Sequence, residues 1–239
     1  MGKPHERIFV ALDTPDADAA RSLARDLQGL VGGFKIGLEL FISTGPKLVE
    51  EIRRYDQQVF LDLKLHDIPN TVAGAARSIG RLGVQMFTVH ANGGVEMMRR
   101  ANAAAREGAD EAGHPAPMTL AVTVLTSHDD DDLQELGWDG PCETAVGRLA
   151  GLADRAQVGG VVCSPLEVRA LRERFPDQKR VVPGIRLPGG STDDQARVAT
   201  PGTAIADGAD YLVIGRPIRN ADDPAAAAQA IADEIARTS

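Results

Sequence analysis

Eight short apolar runs alternate with eight amphipathic stretches along 239 residues, and this alternation predicts an α/β protein, a (β/α)8 TIM barrel formed as a single domain over residues 1–239. Two further features favour closure. The apolar runs are almost unbroken, as in parallel strands covered on both faces by helices. Polar residues gather where the runs end, the edge on which barrels of this class build their sites. An open doubly wound sheet is the alternative, and the count of eight units argues against it.

The units follow in order. Strand 8–13 ends in Asp13, and 16–30 sets Ala and Leu at helical spacing against charged positions. Strand 33–38 carries Lys35 in Phe-Lys-Ile-Gly and leads to a helix at 45–54. Strand 59–64 ends in Asp62 and Lys64 before a helix at 71–82, and strand 85–90 ends in His90-Ala-Asn92 before one at 95–107. Strand 119–125 runs into Thr126-Ser127, with a helix at 143–156. The last three strands, 160–163, 180–183 and 211–214, alternate with helices at 165–175, 193–198 and 224–237. Strand seven leads into Pro183-Gly-Ile-Arg186, and strand eight into Gly215-Arg-Pro-Ile218. The acidic run 129–132 reads as the cap and solvated face of a short helix beginning near Asp132, without chemistry of its own.

Composition narrows the function classes. A net charge of −8 speaks against a general nucleic-acid or anionic-membrane surface, while leaving room for a local anion pocket. No apolar run approaches bilayer length, and the amino-terminal residues do not resemble a targeting segment, so a cytoplasmic protein is expected. Cys142 and Cys163, the two cysteines, fit no disulfide framework or zinc pattern. The five histidines have no ligand spacing either, and no metal site is expected. His90, at a strand end, reads as a supporting hydrogen-bonding group rather than a base.

The most informative segment is 59–71, Val-Phe-Leu-Asp-Leu-Lys-Leu-His-Asp-Ile-Pro-Asn-Thr. Alternation places Phe60, Asp62 and Lys64 on one face and Val59, Leu61 and Leu63 on the other. Charges in a buried strand must pair, shift their pKa or work, so the Asp-x-Lys-x-x-Asp array is either a structural ion cluster or a site of chemistry. Gly215 and Arg216, with the Gly-rich 188–195 segment ending in Gln195, lie where such barrels hold phosphate. Gly215 could instead merely permit a turn and Arg216 be a solvated charge; the 188–195 segment could equally be a mobile lid.

Taken together, Asp13, Lys35, Asp62-Leu-Lys64-Leu-His-Asp67-Ile-Pro-Asn-Thr71, Leu125-Thr-Ser, Pro183-Gly-Ile-Arg186 and Ile214-Gly-Arg-Pro217 resemble the orotidine 5'-monophosphate decarboxylase family from end to end. The resemblance implies cofactor-free conversion of orotidine 5'-monophosphate to uridine 5'-monophosphate and CO2, the last step of de novo UMP synthesis. It implies catalytic roles for Lys64, Asp62, Lys35 and Asp67, with Lys64 stabilising a C6 carbanion and protonating it. Asp13, Lys35, Asp67 and Thr71 would hold the ribose, Thr126 the pyrimidine, and Arg186, Gln195, Gly215 and Arg216 the phosphate. It also implies a homodimer in which Asp67, Ile68 and Thr71 complete the partner's site. A magnesium-dependent decarboxylase or aldolase of keto-sugar phosphates shares the Asp-x-Lys-x-x-Asp pattern, but its relatives place a carboxylate where this chain has Lys35 and lack the Ile-Pro-Asn-Thr continuation. A silent barrel that senses a phosphate ligand would need Arg216 but not both Asp62 and Lys64.

Overall fold

The computed structural model describes residues 3–55, 57–187 and 198–238. Its strands are β1 (Ile8–Ala11), β2 (Gly33–Gly37), β3 (Gln58–Leu65), β4 (Met86–His90), β5 (Met118–Val122), β6 (Gly160–Val162), β7 (Lys179–Val182) and β8 (Tyr211–Ile214). All neighbouring pairs are parallel, and β8 returns to β1 with Val10 beside Ile214, closing an eight-stranded barrel. The helices are α1 (Ala17–Asp26), α2 (Leu38–Thr44), α3 (Pro46–Arg53), α4 (Pro69–Arg81), α5 (Gly94–Ala112), α6 (Asp130–Glu135), α7 (Cys142–Arg155), α8 (Val168–Arg174), α9 (Pro201–Asp207), α10 (Arg216–Arg219) and α11 (Pro224–Thr238). No helix among the described residues is long and apolar enough to cross a membrane.

Two apolar layers follow from the period-2 pattern of the strands and the 3.6-residue pattern of the helices. Phe9, Ala11, Phe60, Met86, Leu120, Val181 and Val213 fill the barrel interior. Phe9 meets Phe60 and Tyr211 edge-on, with ring centroids 6.3 and 5.6 Å apart. The intervening strand residues, Val10, Leu61 and Phe87 among them, join the helices' apolar faces in a continuous outer core. On α7 that face is Ala145, Leu149 and Ala153, four residues apart and all buried. Each large side chain removed from water in these layers contributes about 1.5–3 kcal/mol.

The expected strands all form, with ends that differ where loops begin. β1 stops at Ala11, so Asp13 stands just past the strand, and β5 stops at Val122, leaving Val124 to Thr126 on the rim. α2 and α10, which the periodicity did not separate from their neighbours, are short helices at the mouth. The expected helix at 193–198 lies, apart from Val198, outside the described residues; the helix preceding β8 is α9, begun by Pro201 and capped by Thr200. The acidic run does cap a short helix: Asp129 accepts from the Asp132 amide at 3.0 Å, and α6 begins at Asp130.

Candidate active site

The C-terminal ends of the strands enclose a cavity of about 410 Å³. Its floor is apolar, made by Ala11, Phe60, Val122, Val162 and Val213, and its charged wall comes from β2, β3 and Asp13 just past β1. Parallel register sets that wall: Lys35 of β2 lies beside Ala11 of β1, and Gly37 beside Asp62 of β3. Lys35 is buried, and its ammonium donates to Asp13 at 2.6 Å while standing 3.9 Å from Asp62. Lys64 donates to the same Asp62 oxygen at 2.8 Å. The result is an unbroken alternation Asp13, Lys35, Asp62, Lys64 across β2, β3 and the loop just past β1.

The wall is not a simple pleat. Leu61 pairs with Phe87 but Leu65 pairs with Val89, so β3 carries two extra residues against β4 between those points. Lys64 sits in this bulge with φ +50°, a left-handed conformation disfavoured for a side-chain-bearing residue. Strain of that kind costs about 1–3 kcal/mol and persists where neighbours enforce it. Thr88 of β4 does so: its hydroxyl accepts from the Lys64 amide at 2.9 Å and donates to the second Asp62 oxygen at 2.9 Å.

Asp62 therefore has its carboxylate turned toward cations and donors. Burial acts to raise its pKa, but the charges of Lys64 and Lys35, with hydrogen bonds from Lys64 and Thr88, outweigh it and hold the group below the usual carboxylate range. His90 moves downward too, chiefly through burial and further through His66 and Lys64, with Asp62 opposing. Its Nδ1 is buried and finds no hydrogen-bond partner among the described residues, while its ring lies 5.5 Å from that of His66. The supporting hydrogen bond expected of His90 is thus not made through this nitrogen.

Across the cavity, Thr126, Arg186, Gly215 and Arg216 all reach the lining, at the rim above strands five, seven and eight. Gln195 lies outside the described residues. Asp67, Ile68 and Thr71 are exposed and do not line the cavity of their own chain; the Asp67 carboxylate accepts from the Ile68 amide at 2.6 Å. Three contributors escaped the sequence reading. Thr88 looks like any β-branched strand residue. Gly37 leaves room for the charged wall, since a Cβ there would fall 2.9 Å from the Lys35 ammonium and 3.2 Å from Asp13. Arg219, the last residue of α10, lines the cavity and donates to the Asp13 main-chain carbonyl. The Phe-Lys-Ile-Gly motif offered a signal for Gly37; nothing local marked the other two.

The model of the orotidine 5'-phosphate decarboxylase / HUMPS family matches residues 6–231. The chain belongs to that family. Among relatives named orotidine 5'-phosphate decarboxylase, the protein of Moorella thermoacetica is 51% identical over 232 residues, covering 96% of this chain and 92% of the relative. That of Anaeromyxobacter dehalogenans is 54% identical over 231 residues, covering 96% and 98%. The crystal structure of orotidine 5'-phosphate decarboxylase from Lactobacillus acidophilus superposes with a TM-score of 0.85 at 38% identity, covering 95% of this chain and 98% of that one. The family match covers the barrel strands and the strand ends that carry the ion array.

Proposed function

We propose that this chain catalyses the decarboxylation of orotidine 5'-phosphate to uridine 5'-monophosphate and CO2, closing the pyrimidine pathway to UMP. The observation that carries the reading is the Lys64 ammonium on the cavity wall, held at 2.8 Å by an Asp62 that is itself flanked by a second lysine. Loss of CO2 from C6 leaves an electron pair in the plane of the pyrimidine, where the ring π-system cannot spread it. A fixed ammonium beside C6 stabilises that charge as it develops and then supplies the proton. Asp62 aims Lys64 through this ion pair. It also stands near the departing carboxylate, and two like charges about 4 Å apart repel by roughly 4 kcal/mol at an effective dielectric near 20. That is worth about three decades of rate. The remainder comes from binding energy at the phosphate end, where Arg186, Gly215 and Arg216, with Gln195, would hold the dianion. Asp13, Lys35 and, from a partner, Asp67 and Thr71 would hold the ribose, and Thr126 the base.

The same reading calls for a homodimer. Asp67 and Ile68 follow the catalytic strand directly, yet Ile68 is 67% exposed, and Ile42 at the same mouth is 80% exposed. A second copy docked there would cover this apolar rim and bring Asp67 to its own charged wall. The two cysteines are buried and held in no disulfide, which suits the reducing cytoplasm as the site of action. The keto-sugar phosphate chemistry within the same broad family needs a divalent cation. Here the Lys35 ammonium already lies between Asp13 and Asp62, where it would oppose one.

The deciding experiment is incubation of purified protein with orotidine 5'-phosphate in EDTA, followed by ultraviolet absorbance. Steady conversion to uridine 5'-monophosphate is expected; a requirement for magnesium, or binding without turnover, would replace the assignment.

A further inference from the structure

We propose that Thr88 is a positioning residue for the reaction, its single hydroxyl fixing both the carboxylate plane of Asp62 and the left-handed main chain of Lys64. The inference rests on the decarboxylase reading for its rate consequence, but its geometry stands alone. Thr88 is wholly buried on an inward-facing position of β4, two residues after the interior Met86. A valine would satisfy packing there, so a hydroxyl needs partners to offset its desolvation. It has two, and they complement each other. The O–H is given to Asp62 Oδ1 and the lone pair is taken by the Lys64 N–H, both at 2.9 Å.

The consequence for Asp62 is orientational. The terminal torsion of a carboxylate is broad and weakly restrained by its own chain. Both lysines act on Oδ2, Lys64 at 2.8 Å and Lys35 at 3.9 Å. Thr88 alone among the described residues is seen to engage Oδ1, and with Oδ2 already anchored it sets the plane of the group. For Lys64, the N–H in the bulge is turned away from the β3–β4 ladder, whose pairing resumes only at Leu65. Without Thr88 that part-buried donor and the φ of +50° lose the contact that holds them. Thr88 does not line the cavity, so it acts on the reaction through Asp62 and Lys64 and not by touching ligand.

The test compares Thr88→Val, which keeps the shape and removes the hydroxyl, with Thr88→Ser, which keeps the hydroxyl and removes the methyl; Thr88→Ala serves if the valine variant does not fold. Two readouts are taken: steady-state kinetics with orotidine 5'-phosphate, and amide hydrogen exchange at Lys64 in the ligand-free protein. Thr88→Val should lower kcat by about ten- to a hundredfold with KM changed less than about threefold, the size expected for losing a hydrogen bond to a charged group. Exchange at Lys64 should quicken by at least about tenfold, and Thr88→Ser should recover most of both. A valine variant with unaltered kcat and Lys64 exchange overturns the proposal. So does a serine variant as impaired as the valine one, because the methyl would then be the group that matters. If the unmodified protein fails to turn over the nucleotide while Lys64 exchange still depends on the hydroxyl, the reaction assignment falls and the positioning geometry survives.

Discussion

Lys64 carries two burdens, an ammonium aimed at a cavity and a main chain held in an unfavourable region; Asp62 on its own strand meets the first and Thr88 on β4 the second. Replacement of Lys64 by Ala should abolish turnover, by about four decades or more, because electrostatic stabilisation and proton donation are lost together. Binding of uridine 5'-monophosphate, followed by calorimetry, should remain. Near-normal turnover by a folded Lys64→Ala protein would remove the proton-donor role. Asp62 makes a separate prediction about stability. Its pKa in the folded chain lies below the ordinary value, so its charge contributes stability that is fully present above the unfolded pKa of about 3.9 and is lost as pH falls through the folded value. The gap in melting temperature between the unmodified protein and Asp62→Asn should therefore be widest near neutrality and close progressively below about pH 4. A gap that widens on acidification would mean the charge is tolerated rather than favoured. At this scale the sequence was informative where charge interrupts an apolar strand: Asp62, Lys64 and Lys35 stand out because burial makes charge costly. Thr88 was silent because threonine is an ordinary strand residue whatever its hydroxyl does. Asp13 was visible as a strand end, but the bulge that re-aims Lys64 leaves no mark in a pattern of alternating residues.

At the scale of elements, the turn from β8 into α10 carries two guanidinium groups with different work. Arg216 opens the helix on the cavity side, and Arg219 closes it against the Asp13 carbonyl. Arg216→Ala should lower kcat/KM for orotidine 5'-phosphate by about ten- to a hundredfold, the value of a charge-assisted contact, while scarcely affecting the phosphate-free nucleoside. Equal losses with both substrates would contradict a phosphate-gripping role. A second element-level constraint lies between α4 and α5, where bare glycines let two backbones meet. A Cβ at Gly80 would fall 2.1 Å from the Ala105 carbonyl oxygen, and one at Gly108 would fall 2.0 Å from that of Arg77. Backbone cannot yield as a side-chain tip can, so Gly80→Ala should cost about 1–3 kcal/mol despite the better helix propensity of alanine. Its melting temperature should drop by roughly 2–12 °C. An unchanged melting temperature would show that the helices can separate without penalty. Helical periodicity located both helices to within a few residues, because buried Ala, Ile and Met recur on one face. It could not locate their contact, since a glycine facing carbonyl oxygen and a glycine facing solvent read alike.

The whole molecule places its charged wall at one mouth and leaves the segment after β3 projecting from that mouth. Asp67 is three residues from Lys64 in the chain, yet it takes no part in the ion array of its own barrel and lies on an exposed rim with Ile68. Eightfold strand counting recovers a barrel from one chain, but it says nothing of a site finished by another chain; that expectation came from family resemblance. The shared-site arrangement has a strict symmetry consequence. In the proposed two-fold dimer each pocket would take Lys64 from one subunit and Asp67 from the other. A Lys64→Ala chain paired with an Asp67→Ala chain then has one pocket carrying both defects and one pocket carrying neither. Equal mixing of the two inactive proteins, with exchange of subunits, makes about half the dimers mixed and should restore about a quarter of the unmodified activity. Light scattering should give twice the 25.3 kDa chain mass for each protein before and after mixing. If every pocket were built from a single chain, the mixture would stay as inactive as its components however long the subunits exchanged.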